Sequence, residues 1–245
     1  MYGMYNWFDR IRHEFRFSPE EVKGLTLAIV ILSFVIGFND GSETFELVPW
    51  LFNFINCLLV ITLSLLVRET AHRIFAIRSG HKVEFKVWPV GLGLALAASV
   101  LSYGKIPILV YGGFLASYVP RQRLGYFRYG LSFQNLATVA LWGNLSSVLL
   151  ALFFKIAYTF IPNPLIQTAI LVNIMLACLN MLPIPPLTGS QIFFASRTYY
   201  IFSLSLIVAA SLMIFFLDSI LLTIIGSLLI AGFVALIWHV FVEQK

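Results

Sequence analysis

Residues 48–80 read VPWLFNFINCLLVITLSLLVRETAHRIFAIRSG. The uncharged run from Val48 to Val67 has the length of about 20 residues that a helix needs to cross a bilayer. It then continues without Pro or Gly through Arg68, Glu69, Thr70, Ala71, His72 and Arg73 to Ser79-Gly80, a helix stop. One helix is therefore expected to leave the apolar phase while carrying a dense ionisable group. The rest of the chain supports a membrane setting. Its 245 residues hold 16 Lys+Arg and 11 Asp+Glu, 11% charged, against about 25% in a soluble domain. With 60% hydrophobic residues and a mean hydropathy of +0.91, too little polar side chain is present to coat a water-soluble globule. The apolar runs are too long for the alternating strands of an outer-membrane barrel. Net charge of +5 comes from basic residues scattered between apolar runs, as the positive-inside rule expects, and does not indicate a nucleic-acid partner.

Working outward, residues 1–21 interleave Tyr2, Tyr5, Trp7, Phe8, Phe15 and Phe17 with Arg10, Arg12 and Arg16, a pattern suited to lying on a membrane surface. Residues 22–245 are expected to form a single membrane domain. Ser18-Pro19-Glu20-Glu21 starts a first span of about Val22–Phe38, and the acidic loop Asn39 to Glu46, free of Lys and Arg, should face away from the cytoplasm. Both termini are then cytoplasmic. Val83-Glu84-Phe85-Lys86-Val87 alternates as a short interfacial strand. Val90–Tyr103 and Ile106–Val119, about 14 residues each, are short for spans and read as a re-entrant or shallow hairpin returning to Arg121, Arg123 and Arg128. Phe133–Ile161 and Leu165–Leu182 are further spans, and Tyr199–Leu217 with Ser219–Phe241 is a C-terminal helical hairpin around Asp218. The expected fold is an all-α polytopic membrane protein with roughly six transmembrane helices, a re-entrant hairpin and a short interfacial strand. Cys57 and Cys178 lie in apolar runs and read as buried hydrophobes.

Two polar sites stand out at membrane depth, where ionisable groups mark function by default. On a helix Glu69 lies three residues from His72 and four from Arg73, so all share a face. The bland reading is a helix end at the headgroups, with Arg68 snorkelling and Glu69 paired to Arg73. The second site is Asn173 followed by Asn180-Met181-Leu182-Pro183-Ile184-Pro185-Pro186-Leu187-Thr188-Gly189, where proline-rich unwinding frees carbonyls that need partners. Its bland reading is a helix that simply stops. Both sites fall on the inner side in this topology, so they are able to meet. Asn53, Asn56 and Asn144 read as interhelical hydrogen-bond partners, and His81 and His239 have no ligand-spaced partner. His13-Glu14 begins like a zinc helix motif, but Phe17 stands where its second histidine belongs.

Together these sites resemble the site-2 protease family of intramembrane zinc metalloproteases, which carries H-E-x-x-H on an early helix and N-x-x-P-x-P-x-x-D-G on a later one. The resemblance covers roughly residues 47–197. Asn180, Pro183, Pro185 and Gly189 match the second motif in register, and Trp88-Pro89-Val90-Gly91-Leu92 and Gly112-Gly113 look similar to archaeal members. The departures are specific. Arg68 stands in place of the first histidine and Thr188 in place of the aspartate, so of three implied zinc ligands only His72 is kept. Glu69 keeps the place of the general base, which without an activated water has nothing to deprotonate. Arg68 instead puts a permanent cation where a dication belongs, with its guanidinium free to neutralise Glu69 and to donate to Thr188 or to carbonyls freed by Pro183 and Pro185.

The resemblance therefore implies a pseudoprotease that needs no cofactor and binds a transmembrane or extended peptide segment in a cleft of Arg68, Asn180, Pro183, Pro185, Thr188 and Gly189. Strand 83–87 is then an edge to which such a segment adds. The alternatives are an active intramembrane metalloprotease holding zinc through non-standard ligands, and a transporter or scaffold. Beyond the lipid bilayer, no partner and no oligomeric state follows from the residues.

Overall fold

The computed structural model describes residues 11, 12, 14–39, 41, 46–118, 132–217 and 219–243. Residues 1–10, most of the acidic loop, Arg121, Arg123, Arg128 and Asp218 lie outside them. Helix α1 (Pro19–Gly37) starts on a capping box: Ser18 Oγ accepts from the Glu21 amide at 3.2 Å, Glu21 Oε2 accepts from the Ser18 amide at 2.7 Å, and Pro19 takes the first turn. Helix α2 (Leu47–Arg78) has 32 residues, about 48 Å at 1.5 Å per residue. It stops at Gly80, whose φ of +78° is the left-handed turn anticipated there.

Strand β1 (His81–Val87) pairs antiparallel with β2 (Gly112–Tyr118), with Phe85 opposite Phe114. Between them helix α3 (Pro89–Leu101) runs out, and the chain turns through Tyr103 and Gly104, both at positive φ. It returns extended. The second arm of the expected hairpin is thus a coil and a strand, because β1 has a backbone edge that β2 satisfies. Ser99 Oγ donates to Val35 O at 3.1 Å and Gly104 packs against Asn39, so the turn of the hairpin lies at the C-terminal end of α1.

Helices α4 (Phe133–Phe160) and α5 (Pro164–Leu179) follow, then the short α6 (Thr188–Ala195), and α7 (Arg197–Phe216) with α8 (Ile220–Trp238) as the C-terminal hairpin, closed by a π-helical turn at His239–Glu243. Among the described residues, four segments are long and apolar enough to cross a membrane: α2, α4, α7 and Ile220–Val242. The two other expected spans differ for physical reasons. Glu20, Glu21 and Lys23 open α1, while α5 has 16 residues, about 24 Å against a hydrocarbon core of about 30 Å. Helix α8 is buried only along Thr223, Ser227 and Ala231 and otherwise presents apolar side chains outward, as a lipid-facing helix does. Two apolar clusters form the interior, one built largely from α4, α6 and α7, the other from α1, α2, α3 and α5. The inner half of α2 lies against both.

Candidate functional site: an arginine-centred polar core

Arg68 is fully buried, with no accessible surface. Its Nη1 donates to Leu176 O of α5 at 3.2 Å and to Ser147 Oγ of α4 at 3.4 Å. Its Nη2 donates to Thr188 Oγ1, the first residue of α6, at 3.2 Å and to Asn144 Oδ1 of α4. One guanidinium thus ties α2 to three other helices, using the forked donor geometry that a lysine lacks. The snorkelling arginine of the bland reading is overturned. A cation leaves water only where such acceptors surround it, and α2 runs on for ten residues past Arg68 before it ends.

Thr188 reaches this point because the chain folds back after α5. Asn180 caps α5, and its carbonyl accepts from Gly189 N at 2.8 Å and from Thr188 Oγ1 at 3.1 Å. Gly189 is required there, since a Cβ would lie 2.2 Å from Met181 O. Asn144 Nδ2 donates to Thr188 Oγ1 at 3.2 Å. The second site is therefore not a helix that merely stops: Asn180, Thr188 and Gly189 are buried against Arg68. Pro183 and Pro185 are exposed and shape the turn from outside. Arg68 donates to Leu176 O, not to the carbonyls around the prolines.

Nor does the guanidinium pair with Glu69. Tyr111 OH donates to Glu69 Oε1 at 2.9 Å, while Oε2 lies 3.4 Å from His72 Nδ1. Both carboxylate oxygens are occupied, one by a phenol from the returning arm of the hairpin. Arg73 turns the other way. It pairs with Glu21 of α1, donates to Arg16 O at 2.8 Å and has its guanidinium carbon 3.8 Å from the Phe17 ring centre. The expected Glu69–Arg73 pair is absent because Glu21, buried beside Phe85 N at 2.6 Å, is the better-placed carboxylate.

His72 is enclosed between Phe114, 4.8 Å ring to ring, and the backbone of Gly143, where a Cβ would stand 1.8 Å from Nε2. That Nε2 is buried and has no hydrogen-bond partner among the described residues. His81 on β1 stays apart from the cluster, and burial pushes its imidazole below the usual value, against a smaller opposing effect of Ser79. These donors do not fit a zinc ion. Only one imidazole nitrogen is open, the hydroxyl of Thr188 is a poor ligand, and the guanidinium bound to it repels a dication. Among the described residues no group of three His, Cys, Asp or Glu could hold a metal.

The edges of the small sheet are unequal. On the outer side of β1 the Phe85 amide is taken by Glu21; on that of β2 the Phe114 carbonyl accepts from Gln191 Nε2 at 3.0 Å. Upstream of β2, the backbone groups of Ile108, Leu109 and Val110 make no hydrogen bond with other described residues. Tyr111, Ser147 and Gly143 were not singled out in the sequence. Tyr111 sits in an apolar run, and only its contact with Glu69 reveals its part.

The chain is 29% identical over 183 residues to a protein of Methanocaldococcus jannaschii named "Putative zinc metalloprotease", covering 73% of this chain and 85% of that one. No family model matches the chain. No solved structure matches it either.

Proposed function

We propose that this is a site-2-protease-like integral membrane protein in which an arginine-centred hydrogen-bond core replaces the metal centre, and which binds a membrane segment of a partner protein without cleaving it. The observation that carries this reading is Arg68, fully buried and bonded to Thr188, the two positions where the family pattern calls for metal ligands. The relative named a zinc metalloprotease supports the kinship. In this reading α1 and α5 also cross the bilayer, giving six spans with both termini cytoplasmic. Glu69, held by Tyr111 and His72, is a structural acceptor and no longer a base.

A second reading, an active metalloprotease using His72 and Glu69 with further ligands, is favoured by the open His72 Nε2 and by the relative's name. Cleavage assays on membrane-protein segments in proteoliposomes separate the two. The wild type and Glu69→Gln should both leave every segment intact, while a photo-crosslinker at residue 115, exposed on β2, should trap bound segments. Chelator-sensitive cleavage abolished by Glu69→Gln would refute the pseudoprotease reading.

A further inference from the structure

The β1–β2 hairpin walls the polar core on one side. Its returning arm supplies the Tyr111 hydroxyl, which donates to Glu69, and the Phe114 ring, which covers His72. Phe85 of β1 backs both: its ring stacks on Tyr111 with centres 5.5 Å apart, and it stands opposite Phe114 in the ladder. The Phe85 amide in turn donates to Glu21 Oε1, the same oxygen that pairs with Arg73. Arg73 also holds the segment that precedes α1. Its Nη1 donates to Arg16 O at 2.8 Å, and its guanidinium carbon lies 3.8 Å from the Phe17 ring centre. The Ser18 amide donates to the other Glu21 oxygen at 2.7 Å. Glu21 and Arg73 are only 3% and 4% exposed, so Phe17 and Arg16 help to keep their pair dry. An ion pair that water reaches contributes little.

We propose that residues 14–18 are a latch and the β1–β2 sheet a lid that it holds over Glu69 and His72, so that release of the latch at Arg73 admits solvent to both side chains. Three features give the latch its leverage. One guanidinium serves latch and lid together, through Arg16 O on Nη1 and Glu21 on Nη2, and one carboxylate oxygen serves both Arg73 and Phe85. The lid has two strands among the described residues, and an isolated two-stranded hairpin is marginally stable in water, so its order depends on what fastens it. The latch itself is light: residues 15–18 belong to no helix or strand, and segments with few buried contacts open at the lowest cost. The inference rests on the fold and not on the binding reading, so either can fail alone.

The test is acylation of His72 by diethyl pyrocarbonate in the full chain in detergent, read by mass spectrometry beside hydrogen exchange. His72 is 1% exposed in the latched fold and should react slowly. Phe17→Ala should raise its rate about fivefold or more and speed exchange through residues 81–87 and 112–118. His239, exposed on the π-helical turn, should react as before. Phe17→Tyr, which restores a ring over the guanidinium, should return both readouts to within about twofold of the wild type. Arg73→Lys keeps a cation for Glu21 but lacks the fork and the flat face. It should behave as Phe17→Ala does, and it answers the question if that variant does not fold. A His72 rate unchanged in both variants, or exchange that rises only at residues 14–22, would overturn the proposal. So would exchange that rises equally through residues 197–238, since the chain would then be opening as a whole.

Discussion

Asn144→Leu removes one acceptor of Arg68 and leaves the cation buried with Ser147, Leu176 O and Thr188. A hydrogen bond to a charged group contributes about 1.5–3 kcal/mol, and the lost Asn144 Nδ2 to Thr188 bond adds about 1 kcal/mol. The single variant should therefore lose about 2.5–4 kcal/mol. Arg68→Met removes every guanidinium bond but also removes the buried charge, and Leu176 O and Thr188 both keep contacts with Asn180. Its cost should be smaller, about 2–3 kcal/mol, since eliminating a buried ion recovers desolvation energy. The double variant should then cost less than the sum of the two by about 1.5 kcal/mol or more. Neutral hydrogen bonds between membrane helices average only about 0.6 kcal/mol in such cycles, so a coupling of this size marks a charge-assisted contact. Reversible unfolding of the four proteins in mixed micelles measures it. Additivity within about 0.5 kcal/mol would show that Arg68 and Asn144 do not form the bond described, and the core would lose its basis.

Three further outcomes follow from the same geometry. Gly143→Ala places a methyl group against His72 Nε2, where 1.8 Å separates the positions; it should cost about 1–3 kcal/mol, read as a fall in Tm that His72→Ala partly restores. Tyr111→Phe frees Glu69 Oε1 in a buried site and should destabilise by about 1–3 kcal/mol, with faster hydrogen exchange through residues 107–112. Glu21→Ala leaves Arg73 and the Phe85 amide without their shared acceptor, a loss of about 3–5 kcal/mol, with exposure of the first turn of α1 to added protease.

What the sequence disclosed and what it withheld have physical causes. Long uncharged runs made α2, α4, α7 and α8 legible, because length and hydropathy are one-dimensional properties. The helix ends were legible too, at Ser18-Pro19 and at Ser79-Gly80, since capping is local chemistry. The second arm of the hairpin was not, because an apolar run of 14 residues suits a buried helix or a strand equally, and only pairing with β1 decides between them. Likewise Arg68 and Thr188, expected to meet, are bonded, but the partners of the other charges are not those that spacing suggests. Glu21 lies 52 residues before Arg73 and Tyr111 lies 42 after Glu69, and nothing in the spacing of α2 indicates either.

Elemental analysis of the purified chain bears most directly on the central claim that a guanidinium occupies the place of a metal. No stoichiometric zinc is expected in the wild type, whether or not zinc is supplied during purification. About one zinc per chain is expected in Arg68→His/Thr188→Asp, which would offer three protein ligands. One zinc per chain in the wild type, lost in His72→Ala, would show that a metal and not the guanidinium fills the site.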